Sequence, residues 1–204
     1  MRFFFMKQEM KEQEIKEIVF ATNNAHKLEE ARALADGKIK IMSLSEIGCH
    51  DDIPETADTL EGNALIKARW VKERYGYDCF ADDTGLMVDA LGGEPGVYSA
   101  RFAGPQCNAA DNMALLLEKM YGETDRKARF MTVIALCKGD EHRIFTGTVT
   151  GTIAEQPHGT EGFGYDPIFV ADESGLPFAE MSQEAKNAIS HRGRAMRKLI
   201  EYLA

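Results

Sequence analysis

The chain has 204 residues, 44% of them apolar, a length that buries a core without disulfide staples and suits one domain, simple or two-lobed. No stretch approaches the ~20 apolar residues that span a bilayer, which argues against a membrane protein. With 24 basic against 33 acidic residues the formal charge is −9, which argues against a non-specific nucleic-acid binder, although a polyanion can still be held where basic residues converge.

The cysteines, Cys49, Cys79, Cys107 and Cys137, are scattered without a C-x-x-C pair and read as free thiols of a reducing compartment. Met1 to Phe5 is too short an apolar run for a secretory leader, and Lys7, Glu9, Lys11 and Glu12 follow it, so the expected location is the cytoplasm. Residues 1–16 read as a charged extension and 17–204 as the single domain.

The first strand is expected over Lys16 to Ala21, where Ile18, Val19 and Phe20 stand in a row. Thr22-Asn23-Asn24-Ala25-His26-Lys27 follows, leading into a helix from His26 to Leu34 that ends near Gly37. A strand-to-helix turn offers unpaired amides and the positive end of the helix dipole to a phosphate, with Lys27 adding a charge. A capped helix start with a solvated lysine reads the same residues. The G-x-x-x-x-G-K loop is absent. A second strand is expected over Ile39 to Met42.

Glu55 lies in the loop before the next helix, and a loop carboxylate there can complete a metal site. Asp58-Thr59-Leu60-Glu61 resembles a capping box opening that helix, with Leu60, Ala64, Ala68, Val71 and Tyr75 near one face and Gly76 beyond its end. Lys67 and Arg69 on that helix are within reach of a phosphate, but a polar helix face is the default reading. Cys79 to Ala81 is a short strand running into Asp82-Asp83-Thr84-Gly85. Adjacent carboxylates at a strand end repel, and a hard cation is one reason to keep them; an Asx-turn closing the strand is the other reading. Neighbouring side chains on a strand face opposite ways, so one Asp can face a metal while the other is structural.

Asn108 is placed to cap a helix containing Met113, Leu116, Leu117 and Met120. Phe130 to Leu136 and Arg143 to Ile153 read as a hairpin. Gly159 to Tyr165 is a glycine-rich loop in which the backbone can approach a ligand and Phe163 or Tyr165 can present a flat ring to a base. Lys186, His191 and Arg192 cluster near a helix that Ser190 caps, either as donors to phosphate or a base oxygen or as a basic surface. Met196, Leu199, Ile200 and Leu203 face inward. Early strand–helix alternation followed by paired strands indicates an α/β fold with a mixed sheet.

Several segments in the same order resemble one family, the inosine triphosphate pyrophosphatases or Ham1-like non-canonical purine NTP pyrophosphatases. They are Thr22-x-Asn24-x-x-Lys27, Glu55-Thr56, Asn63-Ala64-x-x-Lys67-Ala68, Ala81 to Leu86, Ala90 to Arg101, Gly162 to Pro167 and Ser190 to Gly193. The resemblance implies a two-lobed α/β fold with a long central mixed sheet flanked by helices, the site in the cleft, and usually a homodimer. It implies hydrolysis of ITP, dITP and XTP to the monophosphate and pyrophosphate, with Mg²⁺ as cofactor; that neither nucleic acid nor membrane is an expected partner follows from the charge and hydropathy above. By the same resemblance Asp83 is the general base and a Mg²⁺ ligand, and Glu55 the second ligand. Thr22, Asn23, Asn24, Ala25, His26 and Lys27 bind the phosphates and Thr84 touches the substrate. Phe163, Gly164, Tyr165 and Asp166, with Lys186, His191 and Arg192, hold purine and sugar. The alternatives are a phosphomonoesterase with an Asp nucleophile, for which Asp82-Asp83 has the wrong spacing, and a non-catalytic nucleotide sensor.

Overall fold

Ile18, Val19 and Phe20 fill β1 (Lys16–Phe20), a strand whose end is buried on both faces. The computed structural model describes residues 16–204, so the extension assigned to residues 1–16 lies, but for Lys16, outside the described residues. β1 runs parallel to β2 (Ile39–Met42) on one side and to β3 (Cys79–Val88) on the other. Parallel neighbours need crossovers; α1 (Ala25–Ala35) connects β1 to β2, and α2 (Leu60–Tyr75) lies between β2 and β3. After β3 the pairing is antiparallel. β4 (Pro95–Gly96) joins the far end of β3, and β5 (Lys127–Lys138), β6 (Glu141–Ile153) and β7 (Phe169–Ala171) extend the sheet in the order β2-β1-β3-β5-β6-β7. The expected hairpin is present as β5 and β6, longer at both ends, with Lys138 opposite Glu141.

Side-chain alternation divides the central strands between two helical layers. Ile18, Phe20, Phe80, Ile134 and Leu136 lie under Ala31 and Ala35 of α1 and under Met196, Leu199, Ile200 and Leu203 of α5 (His191–Leu203). Phe20 and Phe80 stack there at 4.4 Å. Val19, Ala21, Cys79, Ala81 and Ala135 face the other way, against Ala64, Ala68 and Val71 of α2. The far half of the sheet has its own cluster: Leu86, Phe130, Val149, Ile153 and Phe169 meet Leu116 of α3 (Ala109–Lys119) and Met120 just beyond its end. A mixed sheet flanked by helices is the fold class the sequence indicates.

Two local expectations change. The cap of α2 is Thr59, whose hydroxyl accepts from the amide of Gly62 at 3.0 Å, so Asp58 does not cap. Glu61 is one position short of the capping-box acid and acts only on the helix dipole. More consequentially, β3 does not end at Ala81. It runs for ten residues, so Asp82 and Asp83 stand in mid-strand and close no Asx-turn. β4, β7 and the short helix α4 (Gln183–Ile189) are too brief to leave a periodic signal.

Candidate active site

β1 stops where Phe20 lies beside Phe80, and β4 meets β3 only from Leu86 onward. Between them, Ala81 to Gly85 have a strand partner on one side alone, the β5 segment Met131 to Ala135. The chain leaving β1 turns at this opening. Thr22 Oγ1 accepts from the Asn24 amide at 3.1 Å, and Asn24 Oδ1 accepts from the Lys27 amide at 3.1 Å, which caps α1. A cavity of about 580 Å³ lies here, within the range of small-molecule sites. Thr22, Asn23, Asn24, His26, Lys27, Glu55, Asp83, Thr84, Phe163, Gly164, Tyr165, Asp166, Lys186, His191 and Arg192 all line it. Of the expected site residues only Ala25, exposed at the start of α1, does not.

Asp83 shares the α2 face of β3. Its Oδ2 accepts from Asn63 Nδ2 at 3.2 Å and its Oδ1 from the Thr84 amide at 3.0 Å, while the Asn63 side chain is itself fixed by the Ala57 amide at 2.9 Å. Burial raises the Asp83 carboxyl above its usual pKa; Lys67 and Lys27 oppose the rise, and the charge of Glu55 adds to it. Glu55 behaves in the opposite sense. Burial pushes it up, but Lys67, at 2.5 Å, together with Lys27 and Arg101 outweighs that and leaves it lowered. Lys67 is therefore no solvated helix face: it is 7% exposed and lines the cavity.

Asp82 points to the other face, toward α1 and α5, and begins a buried chain of alternating charges. Lys27 binds Asp82 at 2.8 Å, Arg192 binds Asp82 at 3.1 Å and Glu30 at 2.5 Å, and Lys186 binds Glu30 at 2.9 Å and Asp166 at 2.7 Å. Three cations thus meet three acids, which leaves no net charge to bury. The Asp82 carboxyl is pushed up by burial, yet Lys27 and Arg192 override this and hold it well below the ordinary carboxylate range. Burial lowers Lys27 despite Asp82, and burial raises Asp166 despite Lys186. Asp166 Oδ2 also accepts from the Phe163 amide at 2.8 Å. Gly162, at φ 77°, has no room for a side chain, because a Cβ would stand 2.1 Å from that same oxygen. The Lys186–Arg192 segment is consequently no basic surface; these side chains are among the most buried polar groups of the chain.

The aromatic groups divide similarly. Tyr165 is buried in the far cluster with its hydroxyl donating to the Ser99 carbonyl at 2.8 Å, so its ring props the wall. Phe163 is half-buried, with Lys186 Nζ 5.1 Å and Arg192 Cζ 5.4 Å from its ring centre. His191 stacks on Phe130 at 4.5 Å, and burial together with Arg192 and Lys186 lowers its pKa well below the usual value. Its Nδ1 is buried without a hydrogen-bond partner among the described residues, an exception to the rule that buried polar atoms are paired.

Among the described residues no group of three or more His, Cys, Asp and Glu is arranged to hold a metal. Asp83 and Glu55 face one cavity as a two-carboxylate, all-oxygen set. That set fits a hard divalent cation that takes its remaining ligands from water and phosphate.

The sequence model of the Ham1 family matches residues 18–202. The chain belongs to the Ham1 family. It is 54% identical over 186 residues to a dITP/XTP pyrophosphatase of Flavobacterium johnsoniae, covering 91% of this chain and 97% of that one. It is 53% identical over 190 residues to a dITP/XTP pyrophosphatase of Porphyromonas gingivalis, covering 93% and 98%. Among solved structures, a Ham1 protein of Coxiella burnetii superposes with a TM-score of 0.84 at 40% identity, over 93% of this chain and 98% of that one. The sheet and helices described above are therefore the family's fold.

Some lining or supporting residues carry no signal in the sequence. Asp52 and Cys107 line the cavity from loops, Asn112 from α3 and Phe130 from β5, all in stretches that look ordinary. Glu30, the centre of the ion chain, sits in a helix where Glu29 beside it looks identical, and only one of them is buried. The Asn63 and Ser99 positions fall within the family resemblance without a role, and Lys67 reads either as a phosphate contact or, by default, as a polar helix face.

Proposed function

We propose that this Ham1-family chain hydrolyses ITP, dITP and XTP between the α- and β-phosphates, releasing the nucleoside monophosphate and pyrophosphate, with Mg²⁺ as cofactor. The observation that carries this reading is the meeting, in one cavity, of the Asp83–Glu55 pair, the lysine-bearing start of α1 and the ring of Phe163 beside buried cations. The names of the Flavobacterium and Porphyromonas relatives supply the substrate class. A cytoplasmic homodimer belongs to the same reading through the family resemblance; among the described residues no helix is long and apolar enough to cross a membrane.

Asp83 and Glu55 would hold the cation, which when bound neutralises phosphate oxygens and makes the phosphorus more electrophilic. Asp83, with its pKa raised, takes the proton from the attacking water, and Asn63 keeps its carboxylate aimed. Lys27 and Lys67 offset the charge of the triphosphate. The Thr84 hydroxyl, 2.7 Å from that of Thr132, presents a donor to the substrate. Phe163 stacks on the base.

Lys186 and Arg192 do not spend all their N–H groups on acids: an ammonium has three and a guanidinium five. The remainder suit the 6-oxygen of hypoxanthine and xanthine and oppose the 6-amino group of adenine. Such a mismatch rejects a substrate by ~10⁴-fold. The test is kcat/KM for ITP, XTP, GTP and ATP with Mg²⁺, scoring pyrophosphate and orthophosphate separately. Pyrophosphate from ITP and XTP is expected. Orthophosphate would make the chain a phosphomonoesterase, tight binding without turnover a sensor, and ATP turned over as fast as ITP would refute the donor wall.

A further inference from the structure

Phe163 has a third neighbour. The imidazole of His26, in the first turn of α1, lies parallel to the Phe163 ring, with centroids 5.5 Å apart and planes 12° off. The three groups around this ring differ in how freely they can leave it. Lys186 is fixed by Glu30 and Asp166, and Arg192 by Glu30 and Asp82, all in the interior. His26 is exposed, and its side chain makes no hydrogen bond among the described residues. Moving Lys186 or Arg192 strands buried charges, whereas moving His26 breaks one stack.

A ring held between two others needs them about 7 Å apart, two layers of ~3.5 Å each. At 5.5 Å the His26–Phe163 pair is closed to a purine. We propose that His26 is a placeholder for the nucleobase: its imidazole covers the face of Phe163 on which the purine stacks, and the purine binds by displacing it. His26 would then belong to the base end of the site, although the chain segment it comes from reads as a phosphate loop. The proposal rests on the purine-nucleotide reading above and adds to it a residue that sets the affinity for the base. A face covered for much of the time lowers the apparent affinity by the fraction of time it is open. For a stack of ordinary strength that factor is about three to ten.

The test separates the two ends of the substrate. Inosine, with a base and no phosphate, and inorganic tripolyphosphate, with phosphates and no base, are titrated into the wild type, His26→Ala, Phe163→Ala and the double variant. His26→Ala is expected to bind inosine about three to ten times more tightly and to bind tripolyphosphate as the wild type does. The gain should vanish when Phe163→Ala is also present, since the two rings act on each other. Unchanged or weaker inosine binding by His26→Ala overturns the proposal, as does a gain that survives the loss of the Phe163 ring. Weaker tripolyphosphate binding assigns His26 to the phosphates and overturns it equally. Pyrophosphate release from ITP by the wild type is measured alongside: its absence, with the inosine result as expected, would refute the enzyme reading and leave the placeholder standing.

Discussion

Asp82 and Asp83 are consecutive residues of one strand with the same side chain, and the two faces of β3 make opposite use of them. Asp82, on the α1–α5 face, is 2% exposed and bound by two cations, and its charge is held in place at any ordinary pH. Asp83, on the α2 face, is 8% exposed, rests on one amide side chain and one backbone amide, and opens to the cavity with its proton affinity raised. The difference teaches that burial alone does not set a carboxylate's role. Both are desolvated and both feel Lys27 and Lys67, but only Asp82 is bound directly by cations, and that contact makes it a permanent anion while Asp83 remains able to take a proton.

The largest expected effect concerns the cation on the Asp83 face. Removal by EDTA should abolish ITP hydrolysis, and added Mg²⁺ should restore it. Full turnover after exhaustive chelation would remove the metal role from Asp83 and Glu55. Next is Asp82→Ala, which leaves Lys27 and Arg192 short of a buried partner. Breaking such a pair costs about 3–5 kcal/mol, a fall of roughly 10 °C in Tm for a chain of this size. A Tm within about 2 °C of the wild type would show that the ion chain holds nothing together.

Asp83→Asn should reverse the balance: a loss of 10²-fold or more in kcat, about 2.7 kcal/mol, with Tm unchanged or slightly raised. If its turnover is near normal, the base is elsewhere.

The smallest effect is in the pH dependence of stability, where the two residues differ in sign. Asp82 has a folded pKa below its unfolded value of ~3.9, so its contribution is present above that value and is lost as pH falls toward the folded one. Asp83 has a raised folded pKa, so it favours the folded state once protonated, and stability falls as pH rises from ~3.9 through the folded value. Denaturant titrations between pH 2 and 7 should therefore give Asp82→Asn a flatter acid limb and Asp83→Asn a steeper one than the wild type. The same direction of change in both variants would mean that neighbouring groups, and not these carboxyls, dominate acid unfolding.

The cavity lining was readable in large part from local chemistry and from the ordered motifs of the family. Every expected site residue except Ala25 faces the cavity. What failed were readings that needed to know where a strand stops or what lies across from a side chain. The Asp pair reads as a strand end that an Asx-turn can close, yet pairing of Thr84 and Gly85 with Thr132 and Met131 of β5 carries the strand on to Val88. Lys67 reads as solvated because it sits on a helix among charges, and Tyr165 as an equal of Phe163 because both are aromatic.

Short-range physics settles a good deal in this chain before it folds. Asn24, Asn108 and Ser190 cap their helices because each carries an oxygen that reaches an amide three residues on. Likewise, alternation along a strand alone requires Asp82 and Asp83 to face apart. Which of the two becomes the anchored anion is settled elsewhere. Arg192 stands 110 residues from Asp82 and 162 from Glu30 in the chain. Only the packing of α5 against β3 and α1 brings those charges within hydrogen-bonding distance, and a buried charge takes its pKa from whatever ion the fold sets beside it.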